Sequence, residues 1–218
     1  ASYAQETATI IAGALDELGV APEKIAFFTQ NDAFGDSGYL GAVNALEARG
    51  YTQARRLLHA RYTRNTLDVE EAVSHLIDPR YDPELVIMVG TAPPCAKTIR
   101  LARQYGLKAT FVAVSFVGAN ALLDRLGPDL AEGTLVSQVV PHFAESELPA
   151  ARAFRAALPD TSAQSFVSLE GYLAARTFLE ALSAAPAAAD QEAFIEHLHQ
   201  GQRFDFGLGA EHQLDETS

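Results

Sequence analysis

A repeating unit in the first 140 residues constrains the fold of this chain more than any other feature. A short apolar run, a polar or glycine-containing turn and a stretch with helical periodicity follow one another four times. This alternation predicts a parallel α/β sheet, because parallel strands have to be joined by crossover segments, which are usually helices. The predicted strands are the apolar runs at residues 25–29, 57–62, 85–89, 110–114 and 134–140, and Pro141 is expected to end the last of them.

The rest of the chain has a different pattern. Residues 148–158, 165–182 and 191–199 have helical periodicity, and only a short extended run at 204–208 follows them. These helices have no obvious sheet of their own. We therefore expect their apolar stripe to be exposed and to favour association, for which a homodimer through these helices is one possible arrangement. The stripe consists of Leu169, Leu179 and Leu182.

The charge and composition exclude several kinds of partner. The 218 residues include 28 acidic and 16 basic side chains, which gives a formal net charge of −12. A phosphate backbone or an anionic lipid surface would repel such a chain, so nucleic acid is not expected as a partner. The single cysteine, Cys95, cannot form an internal disulfide and leaves the redox compartment undecided. No apolar run approaches the ~18 residues that span a bilayer, and any leader before Ala1 is expected to have been removed.

Motifs for nucleotide, metal or covalent chemistry are not found in the sequence. The glycine patterns of phosphate-binding and dinucleotide-binding turns are absent. His197 and His199 lie two positions apart on a predicted helix, so their side chains point away from each other, and neither metal nor cofactor is expected. Cys95 follows two prolines at a helix start, where a reactive thiol and inert packing are both open interpretations. Asp32 and Glu170 form the one reactive pair that we can nominate for catalysis. Because candidate acid-base pairs are so few, the sequence favours a ligand-binding protein over an enzyme.

Three turns after strands carry the candidate ligand-binding residues. The first turn places Phe34 at a helix entrance, where it could cover a ligand while backbone donors meet an anion. Phe34 could equally be a staple that packs this helix onto the sheet. Thr91 and Ala92 follow the third strand and can reach the same crevice, although Thr91 can instead cap the next helix. Ser115 and Phe116 follow the fourth strand with the same two interpretations.

At these turns the sequence resembles a known family, the type I periplasmic substrate-binding proteins of the leucine/isoleucine/valine-binding kind, which serve ABC importers. Each fragment of the likeness is short, and their order and spacing together make it specific. The fragments are Lys24-Ile25-Ala26-Phe27-Phe28, Asp32-Ala33-Phe34-Gly35, Arg100-Leu101-Ala102-Arg103-Gln104-Tyr105-Gly106-Leu107, Ser115-Phe116-Val117-Gly118, Ala131-Glu132-Gly133-Thr134, Val139-Val140-Pro141, Ser168-Leu169-Glu170-Gly171-Tyr172 and Phe204-Asp205-Phe206-Gly207.

The resemblance implies a domain organisation. The family has two Rossmann-like α/β lobes, each a three-layer parallel-sheet structure, which three crossing segments join and which close by hinge motion. Residues 1–140 would form the second lobe, with hinge crossings near residues 3 and 141. Residues 141–203 would be helices of the first lobe, and residues 204–218 would return toward the second. Because the first-lobe sheet normally precedes such a segment, the chain resembles a truncated protein.

The resemblance also implies ligand contacts and a ligand class. Contacts would fall on Phe34, on Thr91 or Ala92, and on Ser115 or Phe116. Amino-acid binders of the family often have a tyrosine in the first two turns and an acidic residue in the third, which pairs with the ligand ammonium. Since this chain has no carboxylate in the third turn, a standard amino acid would leave a buried charge unpaired at a cost of several kcal/mol. An aromatic or aliphatic carboxylate, or another small polar organic molecule, fits the predicted lining better.

Three functional classes remain open from the sequence. The resemblance favours an extracytoplasmic, periplasmic receptor of an ABC importer, with a membrane permease as its partner. A ligand-sensing domain of a signalling or regulatory protein would use the same fold. An enzyme would need the Asp32 and Glu170 pair to meet in the cleft. Tyr3, near the first predicted crossing, completes the set of candidate site residues.

Overall fold

The computed structural model describes residues 2–185, 190–199, 203–205, 207–209 and 212–213. Contacts divide the chain into two compact units, Ala1–Val139 and Val140–Ser218, which we call the first unit and the second unit. The assignment of these units to the two lobes of the predicted architecture stays a prediction. None of the helices in the described part of the chain combines the length and hydropathy that a bilayer crossing requires.

The first unit contains a five-stranded parallel sheet with the strand order β2-β1-β3-β4-β5. Its strands are β1 (Ile25–Gln30), β2 (His59–Tyr62), β3 (Leu85–Val89), β4 (Thr110–Ala113) and β5 (Leu135–Val136). Its helices are α1 (Tyr3–Asp16), α2 (Ala33–Ala48), α3 (Glu70–Leu76), α4 (Ala92–Gln104), α5 (Ala119–Leu126) and α6 (Pro128–Ala131). The predicted α/β class and the alternation of strand and helix are confirmed.

β1 and β3 are interior strands of this sheet, and their burial agrees with that position. Every residue of both strands is buried, as expected for parallel strands that helices cover on both faces. The register pairs Ile25 with Leu85 and Thr29 with Val89, so the two strands end at nearly the same level. Residues that directly follow β1 and β3 are therefore placed side by side at one edge.

The pattern Ser2-Tyr3-Ala4-Gln5 predicts a capping box at the start of a helix, and α1 begins with one. The Ser2 hydroxyl accepts the amide N–H of Gln5, and the Gln5 side chain accepts the amide N–H of Ser2. Further along, α1 packs closely on α2, where the Thr7 hydroxyl donates to the carbonyl oxygen of Gly38 at 2.7 Å. The two helices can lie this close because α2 has glycines on the face that contacts α1. A Cβ atom added at Gly41 would overlap the backbone of Ala4.

The predicted fifth strand is too long. Four of the seven residues at 134–140 are β-branched and favour extended backbone, but only Leu135–Val136 pairs with β4. After one further bond, from the amide of Ser137 to the carbonyl oxygen of Ala113, the pairing stops. The reason is that β4 itself ends at Ala113 and turns into a 3₁₀ helix at Ser115–Val117, so residues 138–140 have no neighbouring strand. Pro141 is not what ends the ladder.

The described part of the second unit contains three α-helices and a short antiparallel pair of strands. The elements are α7 (Pro149–Ala157), α8 (Phe166–Ala184), α9 (Gln191–His199), β6 (Arg203–Phe204) and β7 (His212–Gln213). The predicted extended run at 204–208 is a strand only at its first residue, and Phe206 lies outside the described residues. Of the predicted return segment 204–218, only 204–205, 207–209 and 212–213 are described.

The apolar stripe of α8 is only partly exposed. Leu169, which the sequence predicted to be exposed, is fully buried in a small core with Phe154 and Leu173. Leu179 and Leu182 are 58% and 50% exposed, as predicted. The difference arises because α7 supplies a partner for the first part of α8. Association through the exposed part of α8 stays a prediction.

A stacked histidine in β2 links the stability of the first unit to pH. The His59 ring stacks on Tyr39 with ring centroids 3.9 Å apart, and its Nε2 lies 2.8 Å from the Thr29 hydroxyl. Burial, assisted by the positive charge of Arg61 and opposed by Asp36, lowers the pKa of His59 from 6.5 to about 4.

We expect this histidine to destabilise the fold as the pH falls from 6.5 toward 4. In that range His59 of the unfolded chain binds a proton that His59 of the folded chain does not. The contribution of neutral His59 to the free energy of unfolding is therefore complete above pH 6.5 and is lost progressively as the pH falls toward 4. After allowance for solvent screening of a half-buried ring, the loss should be about 1 to 2 kcal/mol. Urea unfolding at several pH values gives a curve of unfolding free energy against pH for the wild-type protein and for His59→Gln. The loss is the difference between these two curves. Parallel curves would contradict the assignment.

Candidate functional site

The three candidate turns lie at the same edge of the sheet in the first unit. Phe34 follows β1, Thr91 follows β3, and Ser115 follows β4. These three strands are adjacent and parallel, so their carboxyl ends point the same way. The edge is therefore the position at which a parallel α/β sheet binds small ligands.

Aromatic side chains gather at this edge. The rings of Tyr3 and Phe34 lie 4.5 Å apart, those of Phe34 and Phe116 5.4 Å, and those of Tyr3 and Phe116 6.3 Å, all in edge-to-face geometry. We call Tyr3, Phe34 and Phe116 the aromatic cluster. Phe116 is 58% exposed, whereas Phe34 is half-buried and packs against the main core. Phe34 thus packs against the core, as the staple interpretation predicts, and its role as a ligand contact stays a prediction.

Two backbone donors of the first turn are used by a side chain of the same turn, and the expectation that this turn offers donors to an anion stays a prediction. Asp32 caps α2, and its Oδ1 accepts the amide N–H groups of Phe34 and Gly35 at 3.1 and 3.2 Å. Its Oδ2 accepts the Gln30 side-chain amide at 2.7 Å. Burial acts to raise the pKa of Asp32, but the hydrogen bonds from Gln30, Gly35 and Phe34 and the charge of Arg64 outweigh it, so this pKa lies below its ordinary value. Asp32 is thus a structural cap.

A buried tyrosine fixes the second turn. The amide N–H of Thr91 donates to the Tyr62 hydroxyl oxygen at 3.1 Å, and that hydroxyl donates to Gln30 Oε1 at 2.8 Å. Burial is the main cause that raises the pKa of Tyr62 above its ordinary value, so the hydroxyl keeps its proton and can donate. Thr91 occupies the N-cap position of α4 without a capping hydrogen bond from its side chain. Ala92 is almost fully buried and exposes little surface at the edge.

A buried glutamate, which the sequence analysis missed, holds the third turn. Glu6 is only 6% exposed, and its Oε1 accepts the amide N–H of Ser115 and the hydroxyl of Ser137, each at 2.5 Å. The contact joins residues 109 positions apart, so no local pattern could have indicated it. The one local signal was a charged residue beside Thr7 and Ile10, on the face of α1 that is buried.

The remaining candidates are Glu170, Cys95 and the two histidines, and a pairing of Asp32 with Glu170 stays a prediction. Glu170 is exposed on α8 in the second unit, whereas Asp32 and the other candidates belong to the first unit. Cys95 is fully buried in α4, and burial raises the pKa of its thiol far above the ordinary value, which favours inert packing over a nucleophile. No group of three or more potential metal ligands occurs among the described residues. The side chains of His197 and His199 lie outside them.

The chain matches known proteins in sequence and in fold. The family described as periplasmic binding protein matches residues 1–218. The chain belongs to this periplasmic binding protein family. Membership agrees with the crystal structure of a possible leucine/isoleucine/valine-binding protein from Rhodopirellula baltica SH 1, which is 43% identical over 99% of this chain, with a TM-score of 0.87. The predicted resemblance is confirmed, and it is to a family of binding proteins.

Two more distant structures share the fold of this periplasmic binding protein chain. The fatty acid ABC transporter substrate-binding protein from Thermomonospora curvata is 19% identical over 97% of the chain, with a TM-score of 0.77. The leucine binding protein from Thermotoga maritima MSB8 is 20% identical over 94%, with a TM-score of 0.74. The chain spans 58%, 55% and 57% of the three structures, less than two thirds of each. No curated protein matches the chain significantly.

Proposed function

We propose that this protein is the extracytoplasmic solute-binding protein of an ABC importer and acts in the periplasm. Its ligand would be a small organic molecule, either amino-acid-like or an aromatic or aliphatic carboxylate, and its macromolecular partner a membrane permease. Family membership and the likeness to the fatty acid ABC transporter substrate-binding protein from Thermomonospora curvata support this proposal.

The observation that carries the proposal is the aromatic cluster at the carboxyl edge of three adjacent parallel strands. Phe34 and Phe116 come from turns after β1 and β4, and Tyr3 comes from the start of α1. Ligand sites typically combine such apolar and aromatic surface with a few polar groups, here the partly exposed Thr91 and Ser115. The same edge provides no pair of acid and base with an open path for chemistry, since Asp32 and Glu6 are both engaged in structural hydrogen bonds.

The proposal is tested by binding measurements on the 218-residue chain. A panel of the standard amino acids, short fatty acids and aromatic carboxylates is titrated by calorimetry. We expect at least one compound to bind, and Phe34→Ala to weaken its affinity about tenfold or more, because a central aromatic contact is lost.

Leu123→Ala is the matched control, because Leu123 is an exposed apolar residue on α5 outside the aromatic cluster. This variant should leave affinity unchanged. If no compound in the panel binds with a Kd below about 1 mM, or if both variants weaken binding equally, the proposal fails.

A further inference from the structure

A chain of hydrogen bonds runs through the interior of the first unit from the Thr91 turn to the Phe34 turn. The amide N–H of Thr91 donates to the Tyr62 hydroxyl oxygen, and that hydroxyl donates to Gln30 Oε1. The Gln30 side-chain amide donates to Asp32 Oδ2 at 2.7 Å, and Asp32 Oδ1 accepts the amide N–H of Phe34. We call the side chains of Tyr62, Gln30 and Asp32 the polar bridge, because they connect two turns that are far apart in sequence.

The sheet fixes the middle of the polar bridge. Gln30 and Tyr62 are register partners on the adjacent strands β1 and β2, and they are only 6% and 2% exposed. The Tyr62 ring stacks on Phe28 with ring centroids 5.1 Å apart, which restricts the position of its hydroxyl. Because water has little access to these buried groups, a hydrogen bond lost from the polar bridge is not readily replaced.

Two glycines let the turns approach the polar bridge closely. A Cβ atom added at Gly90, directly before Thr91, would lie 2.9 Å from the Tyr62 hydroxyl oxygen. A Cβ atom added at Gly35 would overlap the carbonyl oxygen of Gln30. A larger residue at either position would therefore push its turn away from the polar bridge.

The hydrogen bonds from Thr91 to Asp32 all point in one direction. Each group donates to the next one toward the Asp32 carboxylate, with Gln30 accepting through its oxygen and donating through its nitrogen. Hydrogen bonds in such a chain polarise and strengthen one another, and this chain ends on a carboxylate. Loss of one member should therefore weaken the bonds of the others, including those at the far turn.

We propose that Tyr62 is a positioning residue that holds the Thr91 turn and the Phe34 turn as one unit through Gln30 and Asp32. Because Tyr62 is buried, it acts on a solute only through these turns. Its effect on binding rests on the proposed function, since a site that is already ordered loses less conformational entropy when a ligand binds. The coupling between the turns is a property of the unliganded chain and is measured without a ligand.

Tyr62→Phe tests this coupling, because it removes one oxygen atom and keeps the ring on Phe28. Amide hydrogen exchange is measured by NMR on the 218-residue chain and compared with the amides of β3, which report global unfolding. Relative to β3, exchange should become about tenfold faster at Thr91 and about threefold faster at Phe34. Tyr39→Phe is the matched control, because Tyr39 stacks on His59 outside the polar bridge, and it should change neither ratio.

A second variant tests whether the coupling passes through Gln30. Gln30→Met interrupts the polar bridge and leaves Tyr62 beside Thr91. In this background, Tyr62→Phe should still accelerate exchange at Thr91 but should no longer accelerate it at Phe34.

The same variant is then titrated with the panel of standard amino acids, short fatty acids and aromatic carboxylates. Each compound that binds wild type should bind Tyr62→Phe about fivefold or more weakly, whereas Tyr39→Phe should bind it as wild type does.

The possible failures are distinct. If Tyr62→Phe accelerates exchange at Thr91 and not at Phe34, or accelerates both only as much as β3, the coupling is absent and the proposal is wrong. If a compound binds wild type and Tyr62→Phe equally tightly, Tyr62 does not position the site, and the proposal is again wrong. If no compound in the panel binds wild type, the proposed function fails, while the exchange rates still decide whether Tyr62 couples the two turns.

Discussion

Gly41→Ala is expected to lower the free energy of unfolding by about 2 to 3 kcal/mol. The added Cβ would overlap the Cα atom and the carbonyl oxygen of Ala4, which are backbone atoms of α1 and cannot move without shifting that helix. The overlap cost exceeds the roughly 1 kcal/mol that alanine gains over glycine in a helix interior. A shift of α1 would also strain the bond from Thr7 to Gly38. Urea denaturation measures the change.

Gly13→Ala provides the matched control, because Gly13 lies in α1 and an added Cβ would meet nothing within 4 Å. That variant should stabilise the protein by about 0.5 to 1 kcal/mol through helix propensity alone. Equal effects of the two substitutions would show that close packing between α1 and α2 does not limit stability.

Glu6→Ala is expected to lower the free energy of unfolding by about 2 to 3 kcal/mol and to make the Ser115 turn more mobile. The substitution leaves the amide of Ser115 and the hydroxyl of Ser137 without their acceptor. The variant no longer buries a charged group, and this offsets part of the lost stability. The expected decrease in unfolding free energy is therefore smaller than the sum of two charge-assisted hydrogen bonds. Urea denaturation gives the global effect, and amide hydrogen exchange at Ser115 gives the local one.

Two further variants define the origin of this effect. Glu6→Gln retains an acceptor oxygen and should lose about half as much stability. Glu132→Ala, at an exposed position, should change stability by no more than about 0.5 kcal/mol. Unchanged exchange at Ser115 in Glu6→Ala would mean that the carboxylate does not hold the turn.

Much of the first unit could be predicted from its sequence because its strands are local apolar runs. The predicted strand at 85–89 coincides with β3, and the predicted capping box at Ser2 is present. The predicted length of the fifth strand was wrong because β-branched residues indicate only a local preference for extended backbone. A strand also needs a neighbouring strand to pair with, and β4 ends at Ala113.

The chemistry of the edge could be predicted only in part, for a related reason. Sequence repeats indicate which turns share an edge, and Phe34, Thr91 and Ser115 do share one. They do not indicate that Tyr62 and Glu6 accept the amides of two of those turns, because these contacts join distant parts of the chain. Backbone donors that look available in a sequence can thus be occupied in the fold.

The strand order of the first unit has a consequence for how the chain reaches its folded state. β1 lies between β2 and β3, and β3 comes much later in the chain than β1. During synthesis, the apolar Phe27 and Phe28 therefore emerge well before the strand that completes their surroundings. The nascent chain therefore passes through a stage in which β1 has no β3 to pair with and the two phenylalanines lack part of their core.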